Sequence, residues 1–229
     1  MITTIATGDS FYFNQLLVML TSIKINSPGH RVDACLIDCS KAQVDRLIKS
    51  FPEFNFENRK IKRIDKRGIS FILLRIKLIQ EHFEKYKEQV AWIDTDVIVR
   101  KPLGSFLDIK PEQLKILFRG KKAPEKVRFN AGVLNFGCSD ETKALVDTWY
   151  NLLSKNMVWG MGQLELYRAY KKHEERVELI ELPEAFNDLG DSTNNNSFNT
   201  TSAIWHCKKH HFNNPKFQKE FKYYLKRVK

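Results

Sequence analysis

Asp94-Thr95-Asp96 interrupts two apolar runs, Val90-Ala91-Trp92-Ile93 before it and Val97-Ile98-Val99 after it. Two carboxylates between buried segments are costly unless a cation or strong hydrogen-bond donors meet them. In an extended chain, Asp-x-Asp directs both side chains to one side. Oxygen ligands so placed suit a hard divalent cation, which would in turn clamp phosphate oxygens. The same residues could instead form a polar turn whose aspartates cap backbone amides. A second group of interest is Asn130-Ala131-Gly132, which breaks the strand-like run VRFNAGVLNF. A glycine inside a strand marks a bulge or a close backbone approach to a ligand. The asparagine beside it offers donors and an acceptor to a polyhydroxylated partner. Arg75 and Lys77 lie on the helix ahead of the Asp94 strand, either as solvated charges or facing phosphates held at the carboxylates.

The elements that must position these residues are readable from periodicity. Residues 2–7 are β-rich and end at Gly8-Asp9-Ser10, where Ser10 can cap a helix bearing Phe13, Leu16, Leu17, Leu20 and Ile23 on one face. Residues 32–37 are the next strand. Ser40 can cap a helix with the stripe Val44, Leu47, Ile48 and Phe51, closed by Pro52. This β-α-β-α start argues for a parallel sheet covered by helices. Around Ile61 and Ile64 the pattern is ambiguous between a loop and an exposed edge strand. Ser70 can cap a helix carrying Ile72, Ile76, Ile79 and Phe83, and the strand ending at Asp94 follows it. Residues 114–118 read as a strand. Asp140 can cap a helix burying Leu145, Trp149, Leu152 and Leu153, and Gly160-Met161-Gly162 leads into another helix at Gln163. Residues 177–182 form a strand. Residues 187–201 are a polar loop or lid, and Ala203-Ile204-Trp205 is a last short strand that delivers His206.

The 229 residues fit one large α/β domain, and 42% hydrophobic content supplies a sizeable core. No apolar stretch is long enough to span a bilayer, and the N-terminus lacks the features of a signal peptide. Four scattered cysteines without CxxC spacing read as reduced thiols of a cytoplasmic protein. The net charge of +11 predicts an anionic partner: a phosphorylated ligand, nucleic acid or a membrane surface. The tail from Lys208 places Phe217, Phe221, Tyr224, Leu225 and Val228 on one helical stripe, with Lys216, Lys219, Lys222, Lys226 and Arg227 on the others. That pattern fits a docked C-terminal helix with a solvated basic face, or peripheral contact with an anionic membrane.

Four stretches together resemble the GT-A fold nucleotide-sugar glycosyltransferases, especially the family 8-like group. They are ATGDSFYFNQLLVMLTSI, LLRIKL ahead of VAWIDTDVIV, FNAGVLNF and IWH, in that order. The resemblance implies an α/β GT-A fold: a mixed, mostly parallel central sheet flanked by helices. It implies one catalytic domain over 1–229, with a nucleotide-sugar-binding half (1–103), a donor-sugar and acceptor half (104–207) and a basic tail (208–229). It implies that Asp94, Asp96 and His206 bind Mn²⁺ or Mg²⁺, and that the metal holds the diphosphate of a nucleotide-sugar. Thr7, Asp9 and Tyr12 would surround the base, and Thr95 would contact the nucleotide through its backbone. Arg75 would contact the diphosphate or brace the aspartates. Asn130, Ala131 and Gly132 would contact the donor sugar, with Gln163 near its anomeric carbon. Two departures stand out: Gly162 occupies the place of the family's usual Asp before that Gln, and the residues after His206 do not follow the family's Gly and Lys register. Lys208 or Lys209 would then supply the phosphate contact.

The expected reaction is transfer of a hexose from a UDP-sugar to a hydroxyl of a glycan or lipid-linked acceptor, with retention of configuration. Inversion would need a carboxylate base, for which Glu165, Asp188 and Asp191 are available. Three other readings compete. The His206 to His211 cluster could bind zinc, though its spacing matches no common ligand pattern. A haloacid-dehalogenase-like phosphatase would use Asp94 as nucleophile and Asp96 as acid/base, with Asp191 as a late acidic residue. A basic nucleic-acid-binding module would interleave cations with exposed aromatics.

Overall fold

The opening residues alternate strand and helix, as the apolar pattern predicts. Strand β1 (Ile2–Thr7), helix α1 (Ser10–Asn26), β2 (Val32–Ile37), α2 (Lys41–Ser50) and β3 (Asn55–Arg59) follow one another, and β1/β2 and β2/β3 pair in parallel. The computed structural model describes residues 1–60, 69–156, 158, 160–190, 198–208 and 212–228. The remaining elements are α3 (Ile69–Tyr86), β4 (Val90–Ile93), β5 (Val97–Val99), α4 (Gly104–Leu107), β6 (Gln113–Phe118), α5 (Glu125–Arg128), β7 (Phe129–Phe136), α6 (Asp140–Lys155), α7 (Gly162–His173), β8 (Glu178–Glu181), a 3-10 turn (Glu184–Phe186), β9 (Ile204–His206) and α8 (Pro215–Leu225). Seven strands form a mixed, mostly parallel sheet in the order β3-β2-β1-β4-β7-β6-β8, and β5 and β9 form a separate two-stranded ribbon. Ile61, Ile64 and the Ser70 cap lie outside the described residues and side chains. The contacts divide the chain into two compact units: one holds Met1, Lys62–Trp92 and Phe106–Leu182, the other Ile2–Ile61, Ile93–Ser105 and Pro183–Lys229.

In the unit containing β1, helix α1 is buried almost all round, from Gln15 through Ile23. A helix covered on every side reads as continuously apolar, not as a stripe. Its N-cap is Asp9, whose carboxylate accepts from Phe11 N at 2.9 Å, so Asp9 takes the place expected of Ser10. Ser40 caps α2 as predicted, in a reciprocal capping box with Gln43. The α2 stripe is narrower than predicted: Leu47 is buried, whereas Ile48 is 53% exposed. The short β5 strand is fully buried, and polar side chains of α1 complete its backbone pairing. Ser22 Oγ accepts from Val99 N at 3.0 Å, and Asn26 Nδ2 donates to Val99 O at 2.8 Å. Helix α8 is docked here. Phe217, Phe221 and Tyr224 pack with Val18, Ile98, Phe198 and Trp205, and Tyr224 Oη accepts from Asn26 Nδ2 at 2.6 Å.

In the other unit, Ile76, Ile79 and Phe83 of α3 are buried as the stripe predicts. The interruption at Asn130-Ala131-Gly132 is a β-bulge. Leu134 pairs Ile116 while Asn130 pairs Leu117, so the β6/β7 register shifts across these residues. Ser139, not Asp140, caps α6, in a box with Thr142 that satisfies two helix-end amides at once.

Because Phe217 is almost completely buried on the apolar face of α8, Phe217→Ala should destabilise the protein by about 3–5 kcal/mol. The check is a fall in urea midpoint with unchanged slope; a shift under about 0.5 kcal/mol would mean α8 is not an integral part of the core.

Candidate metal centre

β4 and β5 are both buried, and between them the chain bends through Asp94-Thr95-Asp96. The bend is held from both sides. Thr4 Oγ1 donates to Ile93 O at 2.7 Å, and Cys207 N donates to Asp96 O at 2.8 Å. β9 runs antiparallel to β5 with His206 opposite Val97, so the imidazole arrives beside Asp96 through strand pairing. His206 is completely buried; its Nε2 lies 3.0 Å from Asp96 Oδ1 and 3.8 Å from Asp94 Oδ2. These three residues offer ligand atoms all within 4.8 Å of one another. A separation near 3 Å is about what adjacent ligands need around an ion with bonds of about 2.1 Å.

His206 Nε2 is buried and, among the described residues, makes no hydrogen bond of good geometry, although it lies 3.0 Å from Asp96 Oδ1. On the other side of the ring, Nδ1 lies 2.8 Å from Asn187 Oδ1. An orphaned imidazole nitrogen aimed at two carboxylates is a donor set that fits a divalent cation. Lys208 Nζ approaches to 4.0 Å from Asp94 Oδ2. Burial opposes ionisation of Asp96, but the neighbouring His206 and the Lys208 ammonium outweigh it and hold the carboxyl below its ordinary range. Burial, with the Asp96 charge, pushes the adjacent Cys207 thiol up to about 12. Of the residues in the zinc reading, His210 and His211 lie outside the described residues.

The other predicted residues fall into two sets. In the unit of the metal group, Thr7 ends β1 with its hydroxyl buried and unpartnered among the described residues, Asp9 caps α1, and Tyr12 is 48% exposed on the first turn. Thr95 lies half-buried in the bend. Asp188 is fully engaged. Its Oδ1 accepts from Gly190 N at 2.9 Å, and its Oδ2 accepts from Asn199 N at 2.9 Å and Ser202 Oγ at 2.7 Å. It braces the base of the polar loop. Asp191 and Lys209 lie outside the described residues.

In the other unit, Arg75 Nη1 donates to Ala131 O at 2.9 Å, and its guanidinium lies 5.5 Å from the Trp92 ring and 5.9 Å from the Trp149 ring. Asn130 Oδ1 accepts from Gly132 N at 3.1 Å, so it shapes the bulge from within. Gln163 is half-buried in the first turn of α7, and Trp149 Nε1 donates to Gly162 O at 2.9 Å beside it. Lys77 stays exposed at the helix surface, its ammonium 5.6 Å from the Tyr150 ring centre. Glu165 is wholly buried and paired with Arg168 at 2.9 Å. One residue that periodicity and motif spacing do not reveal is Asn187. Its contact with His206 comes through the Asp188–Trp205 bridge, a pairing that leaves no local pattern.

No family model matches the chain, and no curated protein matches it by sequence. Solved structures do match. The galactosyltransferase LgtC in complex with donor and acceptor sugar analogs superposes with a TM-score of 0.70 at 17% identity, over 99% of this chain and 95% of that one. An active-site mutant of LgtC, in which glutamine is replaced by glutamate, matches with a TM-score of 0.69 at 16% identity over the same shares. The fold is GT-A. At such low identity the likeness carries the architecture, and the site must be argued from its own residues.

In metal-free protein the depressed Asp96 pKa contributes stability that is complete above the unfolded carboxyl value of about 3.9 and is lost as pH falls through the folded value. Asp96→Asn should therefore flatten the acid limb of the stability profile from about pH 5 downward. Denaturant midpoints measured in chelator across that range are the check; parallel acid limbs would refute the assignment.

Proposed function

We propose that this chain is a metal-dependent glycosyltransferase that moves a hexose from a nucleotide-sugar, a UDP-sugar in the favoured case, to a hydroxyl of a glycan or lipid-linked acceptor. The observation that carries the reading is the convergence of Asp94, Asp96 and the unpartnered Nε2 of buried His206 at one end of the β5–β9 ribbon in a GT-A fold. Asp94, Asp96 and His206 would hold a divalent ion, which when bound supplies Lewis-acid stabilisation of charge on a departing nucleoside diphosphate. Lys208, beside Asp94, adds a second positive charge for the phosphates. Thr7, Asp9, Tyr12 and Thr95 are assigned to the nucleoside.

Asn130, Ala131 and Gly132 are assigned to the donor sugar. Arg75 keeps their bulge in place through the Ala131 carbonyl. Gln163 is assigned to the reacting face of the sugar. Retention is favoured because the described carboxylates that might serve an inverting reaction are already committed, Asp188 to the loop and Glu165 to Arg168. The phosphatase reading is not favoured: it rests on Asp191, outside the described residues, and on a fold other than the one observed. The nucleic-acid reading is not favoured: Phe217, Phe221 and Tyr224 of the basic tail are buried, and Tyr223 is exposed.

The test is calorimetric titration of metal-free protein with UDP, GDP and ADP, each with and without Mn²⁺. One nucleoside diphosphate should bind in a metal-dependent way and cease to bind in Asp96→Ala; absence of binding by all of them would remove the transferase reading. An NMR time course of the product anomer then separates retention from inversion.

The exposed lysines of α8 fit peripheral contact with an anionic membrane. No helix among the described residues is long and apolar enough to cross one. Deleting α8 would strip the core, so charge reversal is the cleaner probe. Changing Lys216, Lys219, Lys222 and Lys226 to Glu should abolish co-sedimentation with phosphatidylglycerol vesicles at low salt and leave the fold intact.

A further inference from the structure

We infer that Asn187 is a positioning residue for metal capture: its amide oxygen holds His206 in the tautomer that leaves Nε2 free to bind a cation. The inference rests on the metal reading above and adds a residue to it. A neutral imidazole carries its proton on one nitrogen only, and the partner of the other nitrogen decides which. Asn187 Oδ1 lies 2.8 Å from His206 Nδ1, and an acceptor there requires the proton on Nδ1. The lone pair is then on Nε2, which is buried, 3.0 Å from Asp96 Oδ1 and, among the described residues, without a hydrogen bond of good geometry.

Both residues are sealed from solvent, Asn187 at 1% and His206 at 0% exposure, so water cannot substitute for the amide. The backbone brings them together independently of the side chain. Asp188 bridges Trp205 in parallel, with Asp188 N donating to Ile204 O at 3.1 Å and His206 N to Asp188 O at 2.8 Å. Asn187 N donates to Glu184 O at 2.9 Å. A substitution at Asn187 can therefore remove the acceptor and keep this frame. Among the described residues Asn187 Nδ2 has no hydrogen-bond partner, so the oxygen is the atom through which this amide acts. An aspartate keeps an oxygen in the same place and removes the unpaired donor. Outer partners of this kind alter metal affinity by about 10–100-fold when mutated.

The experiment compares Mn²⁺ binding to full-length wild type, Asn187→Leu and Asn187→Asp by electron paramagnetic resonance titration without nucleotide. Melting in chelator confirms that each variant is folded. Asn187→Leu should bind Mn²⁺ about 10–100-fold more weakly, and Asn187→Asp should stay within a few-fold of wild type. Equal affinity in wild type and Asn187→Leu, or equal loss in both variants, overturns the positioning role and leaves the metal site standing. Absence of Mn²⁺ binding in wild type overturns both.

Discussion

Much of this molecule depends on how a completely buried imidazole is accommodated beside two carboxylates. His206 has no access to water, Asp94 and Asp96 have only partial access, and all three meet at the ends of short buried strands. Such a group is expensive to assemble from neutral or like-charged parts. The surrounding structure meets that cost through backbone geometry. β5 is only three residues long, yet it is paired along one edge by β9 and capped along the other by Ser22 and Asn26 of α1. The ribbon that carries His206 is therefore braced by a helix buried almost all round, whose Ser22 and Asn26 side chains bond to the backbone of β5.

The same arrangement explains why α8 is an integral part of the unit that carries Asp94, Asp96 and His206 and is not an appendage. Its aromatic face covers Trp205 and Ile98, the middle residues of β9 and β5. Arg100, at the far end of β5, stacks 3.9 Å above the Trp205 ring and donates to Thr200 O at 2.7 Å. Packing of the tail, the end of the polar loop and the ribbon are thus coupled through one indole. A basic outer face on such a helix can meet an anionic surface without any part of the core being exposed.

In the other unit, order around the bulge is imposed by a cation. Arg75 lies near two indole rings while donating to a strand carbonyl. Guanidinium suits this use because it stacks and donates in the same plane, which an ammonium does not. Asn130 reinforces the bulge from inside the strand. Polar groups that the motifs assign to ligand are here also the groups that shape the backbone, so their loss would change form and binding together.

The sequence by itself determined the kinds and order of the elements. Apolar periodicity, the Ser40 cap and the break at Asn130-Ala131-Gly132 are local properties, set by side chains within a few residues of one another. It also pointed to Asp94 and Asp96, set between two short apolar runs, and the family resemblance added His206. What only the tertiary structure decided is how those residues meet. Asp9 and Ser139 displaced neighbouring residues as helix caps, because cap choice follows the angle at which the chain enters the helix. Ile48 is exposed because the buried face of α2 runs through Leu47 and Ser50. Arg75 found a carbonyl 56 positions away, and His206 found Asn187 through a parallel bridge. Contacts of that kind depend on register between strands far apart in the chain, and periodicity within a strand carries no record of its partner.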